Sequence, residues 1–194
     1  MKMVGNALIA SAIAATATAS VPLIATAPPP VEIPVVTFEE EQTWKCPDCS
    51  PEEKYVLEQL QEKTKITDKN ALATILGNIK QESMFHPDIC EGGARVPYDS
   101  CHSGGYGLIQ WTTEKRYLGL GSFCKKYNCD PSSLEGQTQY MINENQFQAV
   151  LPEFEGRGYS IDQYMVPAYY WLGWGIKGNR ENYSYNYSKQ LIRA

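Results

Sequence analysis

At 194 residues and a net charge of −5, the chain suits one compact domain plus a tail. The negative balance argues against a nucleic-acid binder, which needs a basic face, and gives no reason to expect adhesion to anionic lipid. Thirteen Tyr and four Trp are enough for a core and for an aromatic-lined groove besides.

The chain opens Met1-Lys2, and Val4 to Val21 is almost wholly small and apolar, with Ala17-Thr18-Ala19 as a peptidase-type site. Residues 1–27 therefore read as a signal peptide or, alternatively, as a retained apolar N-terminal tail packed into a larger assembly. Asn6, several Thr and Pro22 make this a poor membrane span, so any membrane contact would come through this segment if it is retained. Residues 28–45 read as a linker, with Pro28-Pro29-Pro30 and Pro34 imposing extended backbone and Glu39-Glu40-Glu41 a solvated charge run. The folded domain is expected over 46–194.

All six cysteines, Cys46, Cys49, Cys90, Cys101, Cys124 and Cys129, fall in that domain. An even number fits disulfides in an oxidising setting. Proximity in sequence favours Cys90–Cys101 and Cys124–Cys129. Cys46-Pro47-Asp48-Cys49 has redox or half-zinc spacing. It lacks both a second such pair and a βαβ context, so structural pairing or idle thiols is the expectation, with no metal.

The pattern is helical almost throughout. Ser50-Pro51-Glu52-Glu53 predicts a capped helix to about Lys63 that buries Val56 and Leu60. Thr67 or Asp68 caps the next, where Leu72, Ile75, Leu76 and Ile79 form one apolar stripe. Gly77 invites close helix contact. Glu82 lies roughly 70° from the centre of that stripe at 100° per residue, at the border of core and solvent. An acid there loses hydration without being sealed away, which raises its pKa toward what a general acid needs. Residues 86–112 are rich in Gly and Pro and predict loops, with Tyr106–Trp111 as a short extended segment. Helices then resume over about Thr113–Lys126, from Asp130-Pro131-Ser132 to about Gln148, from Ser160 to Trp171 with a bend at Pro167, and from Asn179 or Arg180 onward.

A single acid at the end of a buried helix, facing glycines with aromatic and amide side chains, is the layout of a sugar-cleaving cleft. The run Ile75-Leu76-Gly77-Asn78-Ile79-Lys80-Gln81-Glu82-Ser83-Met84-Phe85-His86-Pro87 resembles the acidic helix of the phage tail lysozyme family, within the lysozyme superfamily and akin to goose-type lysozymes and soluble lytic transglycosylases. Gly104-Gly105-Tyr106-Gly107-Leu108-Ile109-Gln110-Trp111-Thr112, followed by Arg116, resembles its glycine-rich strand, and Gln137 to Glu144 its later helix. The resemblance covers roughly residues 55–190.

It implies an α+β, mostly α, two-lobed lysozyme-like domain with a small β-excursion lining a cleft. It also implies a peptidoglycan-degrading glycosidase that needs no cofactor and cuts the β-1,4 bond between N-acetylmuramic acid and N-acetylglucosamine. Glu82 would be the catalytic acid, supported by Ser83. Tyr106, Gly107, Leu108, Gln110 and Trp111 would line the sugar sites, and Tyr169 stands where a transglycosylase helix bears a substrate-side Tyr. A hydrolase of inverting type needs a second carboxylate, for which Asp99 and then Glu91 are the candidates; a lytic transglycosylase needs none. The expected partners are glycan strands and other phage tail or virion proteins, in a virion or a secreted or periplasmic setting. Two other classes fit parts of the chain: a non-catalytic structural or glycan-binding tail component, and a secreted thiol protein using Cys46 and Cys49.

Overall fold

The computed structural model describes residues 43–102 and 104–194; the expected signal or tail over 1–27, the linker as far as residue 42, and Ser103 lie outside the described residues. Among the described residues the regular structure is seven α-helices, one turn of 3-10 helix and a two-stranded sheet, an α+β fold that is mostly α.

Strand β1 (Trp44–Lys45) leads into α1 (Pro51–Lys63). Ser50 and Glu53 close a reciprocal capping box, the hydroxyl accepting from the Glu53 N–H at 3.2 Å and the carboxylate from the Ser50 N–H at 2.8 Å. Helix α2 (Lys69–Ser83) starts at Asp68, whose Oδ1 accepts from the N–H groups of Asn70 and Ala71. Every residue of α2 from Ala71 to Ile79 is buried. The expected one-sided stripe is thus a helix enclosed all round, because α1, α6 and α7 pack against it from several sides. Small residues, Ala71, Ala73 and Gly77, occupy positions outside the Leu and Ile stripe and let those neighbours approach.

Helices α3 (Glu114–Tyr127) and α4 (Leu134–Asn143) follow, the second capped by the Ser133 hydroxyl. The single helix expected up to Gln148 is two: α4 stops and α5 (Asn145–Phe154) begins across Glu144, whose backbone is extended at φ −71°, ψ 149°. The reason is the Glu144 side chain, which turns inward to four donors, two buried indole N–H groups and two nitrogens of the part-buried Arg116, and breaks the ladder. Helix α6 (Ile161–Leu172) has a Ser160–Gln163 capping box and carries Pro167 within it. Helix α7 (Arg180–Gln190) leads to β2 (Ile192–Arg193), which pairs antiparallel with β1 in the register Trp44↔Arg193.

The cysteines form three disulfides: Cys90–Cys101 and Cys124–Cys129, as proximity suggested, and Cys46–Cys49. The last pairing leaves the Cys46-Pro47-Asp48-Cys49 motif without a free thiol. Residues 86–112 hold two isolated bridges, Ile89↔Arg95 and Cys90↔Tyr106. Tyr106–Trp111 is a tight turn rather than the expected extended segment: Gly107 and Gln110 have φ of 73° and 51°, and the Trp111 N–H donates back to the Tyr106 carbonyl at 3.0 Å. A strand admits neither dihedral.

Candidate active site

Helix α2 ends abruptly just after Glu82. Met84 and Phe85 both take left-handed backbone, φ 52° and 64°, a conformation that costs a non-glycine residue about 1–3 kcal/mol and persists only where the surroundings over-determine it. They do so here. The Ser83 hydroxyl accepts from the Phe85 N–H at 3.1 Å and donates to the Leu108 carbonyl at 2.8 Å. The Phe85 ring is buried and meets Tyr187 of α7 edge-on at 6.4 Å. This stop leaves Glu82 at the rim of the core, its side chain 15 % exposed.

Burial pushes the Glu82 carboxyl above the usual carboxylate range, and it outweighs the opposing pull of the Arg180 and Arg116 guanidinium groups. Arg180 Nη2 ion-pairs with Glu82 Oε1. The guanidinium lies 4.7 Å over the ring of Trp174, and its Nη1 donates to the Ile176 and Lys177 carbonyls at 3.2 and 3.0 Å. Beside it, Gln81 Oε1 accepts from the Asn179 N–H at 2.7 Å. The last turn of α2 therefore clasps the first turn of α7. Sequence reasoning gave Arg180 no role, although a signal existed: a cation at the first position of a helix opposes the dipole and calls for a specific carboxylate.

The glycine-rich turn is fastened to the end of α2 through Ser83. Leu108, Tyr106 and Trp111 are fully buried, so their side chains belong to the core and any contact with a ligand runs through their backbone. The Tyr106 hydroxyl donates to the Val96 carbonyl at 3.1 Å. Gln137, also buried and unnoticed as a single residue in sequence, accepts from the Leu108 N–H at 2.8 Å and donates to the Pro87 and Pro131 carbonyls. A Cβ on Gly107 would lie 2.3 Å from the Gln137 amide, which is why glycine stands there. Gln110 is half-buried, and its amide donates to the Gly107 carbonyl at 3.1 Å.

Asp99 lies exposed on the 3-10 turn Tyr98–Ser100 and lines a hollow with Pro87, Asp88, Arg95, Asp130 and Ser132, a set that does not include Glu82. The Glu91 carboxylate accepts from the Gly105 N–H at 3.0 Å. Tyr169 is exposed, its ring edge-on to Tyr170 at 5.7 Å and to Trp174 at 5.3 Å. These three rings form an aromatic ledge that runs through Arg180 to Glu82. A larger apolar cavity beside Trp44, Leu57 and Gln61 shares no lining residue with this site.

Behind the site, Glu144 accepts from Trp111 Nε1, Trp171 Nε1 and two nitrogens of Arg116 at 2.5–3.2 Å. This knot fixes Arg116, the second cation that acts on Glu82. Among the described residues no group of three His, Cys, Asp or Glu side chains is placed to hold a metal ion, and no helix is long and apolar enough to cross a membrane.

Comparison with known proteins adds a family: the phage tail lysozyme model matches residues 52–184. No curated protein and no solved structure matches the chain.

Proposed function

The chain belongs to the phage tail lysozyme family, and from that we propose that it is a peptidoglycan-degrading glycosidase, with Glu82 as the acid that protonates the bridging oxygen of the β-1,4 bond between N-acetylmuramic acid and N-acetylglucosamine. Family membership suggests a lysozyme-like glycosidase acting on peptidoglycan and association with a virion; the bond and the residues are our reading. The observation that carries it is the environment of Glu82, a carboxyl at the rim of a core helix whose burial favours the protonated form.

Cleavage needs a proton on the departing oxygen and stabilisation of an oxocarbenium-like centre. Glu82 supplies the first. Gln110, with the backbone of Gly107 and Leu108, lies on the turn fastened to the acid's helix, and the Tyr169–Trp174 ledge offers faces on which sugar rings stack. Ser83, Tyr106 and Trp111 serve by holding that turn. In a hydrolytic outcome Asp99 is the carboxylate proposed to activate water. In a transglycosylase outcome Glu82 takes back a proton from the substrate's own hydroxyl and no second acid is used. Mass spectrometry of digested peptidoglycan separates them: reducing ends mark hydrolysis and anhydro ends mark transglycosylation.

A second reading, a non-catalytic glycan-binding or structural tail component, draws on the ion pair with Arg180, since a glutamate tied to an arginine also suits a purely structural residue. Glu82→Gln decides between them. The amide still accepts from Arg180, so the fold is kept, and cell-wall clearing should fall by about 10²–10⁴-fold, the usual contribution of a general acid. Undiminished clearing in that variant would reject the enzymatic assignment to Glu82.

A further inference from the structure

We propose that Arg180 is the positioning residue of this site, clamping Oε1 of Glu82 so that Oε2 alone carries the proton exchanged with the glycan. The inference rests on the reading of Glu82 as the acid. Its basis is geometric. Arg180 is only 5 % exposed, and its guanidinium is held independently of Glu82 by the Ile176 and Lys177 carbonyls and by the Trp174 face. It is therefore a donor organised in advance and aimed at one carboxylate oxygen. Its ion pair engages Oε1, while among the described residues Oε2 has no hydrogen-bond partner, on a side chain that is 15 % exposed. A carboxyl fixed at one oxygen can present its proton in one direction only, and a reacting group held in line is where positioning gains most of its rate.

The charged groups acting on Glu82 are Arg180 from the start of α7 and Arg116 from α3. Arg116 is already committed to Glu144, and Lys80 on α2 itself is committed to Glu53. Arg180 is thus the guanidinium whose loss would leave burial unopposed by a contact charge. The sign follows. A general acid works while protonated, so activity declines on the basic side as Glu82 ionises. Without Arg180 that decline moves to higher pH, and kcat falls because the carboxyl is no longer aligned.

The test is the pH profile of glycan cleavage for wild type, Arg180→Met and Arg180→Lys, with carbon-13 detection of the Glu82 carboxyl. Arg180→Met should lose about tenfold or more in kcat, with KM little changed and the basic limb displaced upward. Arg180→Lys keeps the charge without the fork, so its limb returns toward that of wild type while kcat stays low. A drop in activity with the limb and the carboxyl titration of Arg180→Met unmoved would overturn the proposal. Wild type supplies a check that needs no variant to fold: the Arg180 side-chain nitrogen-15 signals should titrate in step with the Glu82 carboxyl, and independent titration also overturns it. If Glu82→Gln still clears cell walls, the reading of Glu82 as the acid fails and the role assigned to Arg180 fails with it; if that variant is inactive and the Arg180 results are negative, the clamp fails alone.

Discussion

At the scale of single residues, the molecule invests most in Glu144, a residue distant in sequence from the proposed acid. Its side chain is 1 % exposed and receives two indole N–H groups and two guanidinium nitrogens. A buried ion pair of this kind adds little over an apolar replacement of the whole group. Removing one member is a different matter, because it strands the other charge. Glu144→Ala would leave Arg116 and both indoles without acceptors, so it should cost about 3–5 kcal/mol in urea unfolding. It should also release the inward turn that separates α4 from α5. A loss below about 1 kcal/mol would mean that water or rearrangement replaces the carboxylate. Sequence periodicity does not single out such a residue: a Glu following Met141-Ile142-Asn143 looks like the polar end of a helix, and only the donors brought from α3, α6 and the glycine-rich turn show that it points inward.

At the scale of elements, the site depends on the contact between α2 and α7, the most extensive helix pair among the described residues. Gly77 makes it possible. A Cβ there would lie 2.3 Å from the Ser184 hydroxyl, 2.5 Å from its backbone nitrogen and 2.8 Å from its Cα, so α7 itself would have to retreat. Ala gains about 1 kcal/mol over Gly in helix propensity, but overpacking costs about 1–3 kcal/mol. Because the obstacle is backbone, the upper end applies, and Gly77→Ala should destabilise by about 1–2 kcal/mol net. Activity should fall further than stability explains, since Arg180 rides on α7; a thermal melt and a clearing assay on the same preparation test both parts. The close contact at Gly77 was legible in sequence. The buried face of α7 was not: it is built from Arg180, Ser184 and Tyr187, polar types at helical spacing that no hydrophobic pattern marks. Tyr187 is buried through its hydroxyl's bond to Glu53, which Lys80 also binds at 2.9 Å. Burial, and then that bond, push the Tyr187 phenol far above its usual range; burial also works to raise the Glu53 carboxyl, but the hydrogen bonds from Tyr187, Lys80 and Ser50 together with the Lys80 charge hold it below the usual carboxylate range.

At the scale of the whole domain, loops carry much of the site and staples compensate for their lack of regular pairing. Residues 86–112 contribute two isolated bridges, and the Cys90–Cys101 disulfide closes the loop on which Glu91 and Asp99 lie. Cross-linking a loop of this length removes unfolded-state entropy equivalent to about 2–3 kcal/mol. Replacing both cysteines by serine should lower stability by about that amount in chemical denaturation. The turn at Gly107 should survive, because the Gln137 amide and the Ser83 hydroxyl hold it from two other elements. Loss of glycan binding in the double-serine variant, with Gln137 and Ser83 intact, would show that the staple rather than those bonds organises the turn. The pairing of β1 with β2 sets Trp44 opposite Arg193, and the Trp44 indole donates to the Thr67 carbonyl at 2.9 Å, just before the start of α2.

Local chemistry was enough for most of the helices, the caps at Ser50, Asp68 and Ser160, two of the disulfides and the placement of one acid at the border of the core, because each rests on neighbours a few positions apart. Assembly decided the rest. It closed α2 in on all sides, turned Tyr106, Leu108 and Trp111 inward, broke one expected helix at Glu144, and set Arg180 against Glu82. Those outcomes depend on polar partners that lie far apart along the chain, and such partners leave no period for a sequence to display until folding brings them within hydrogen-bonding distance.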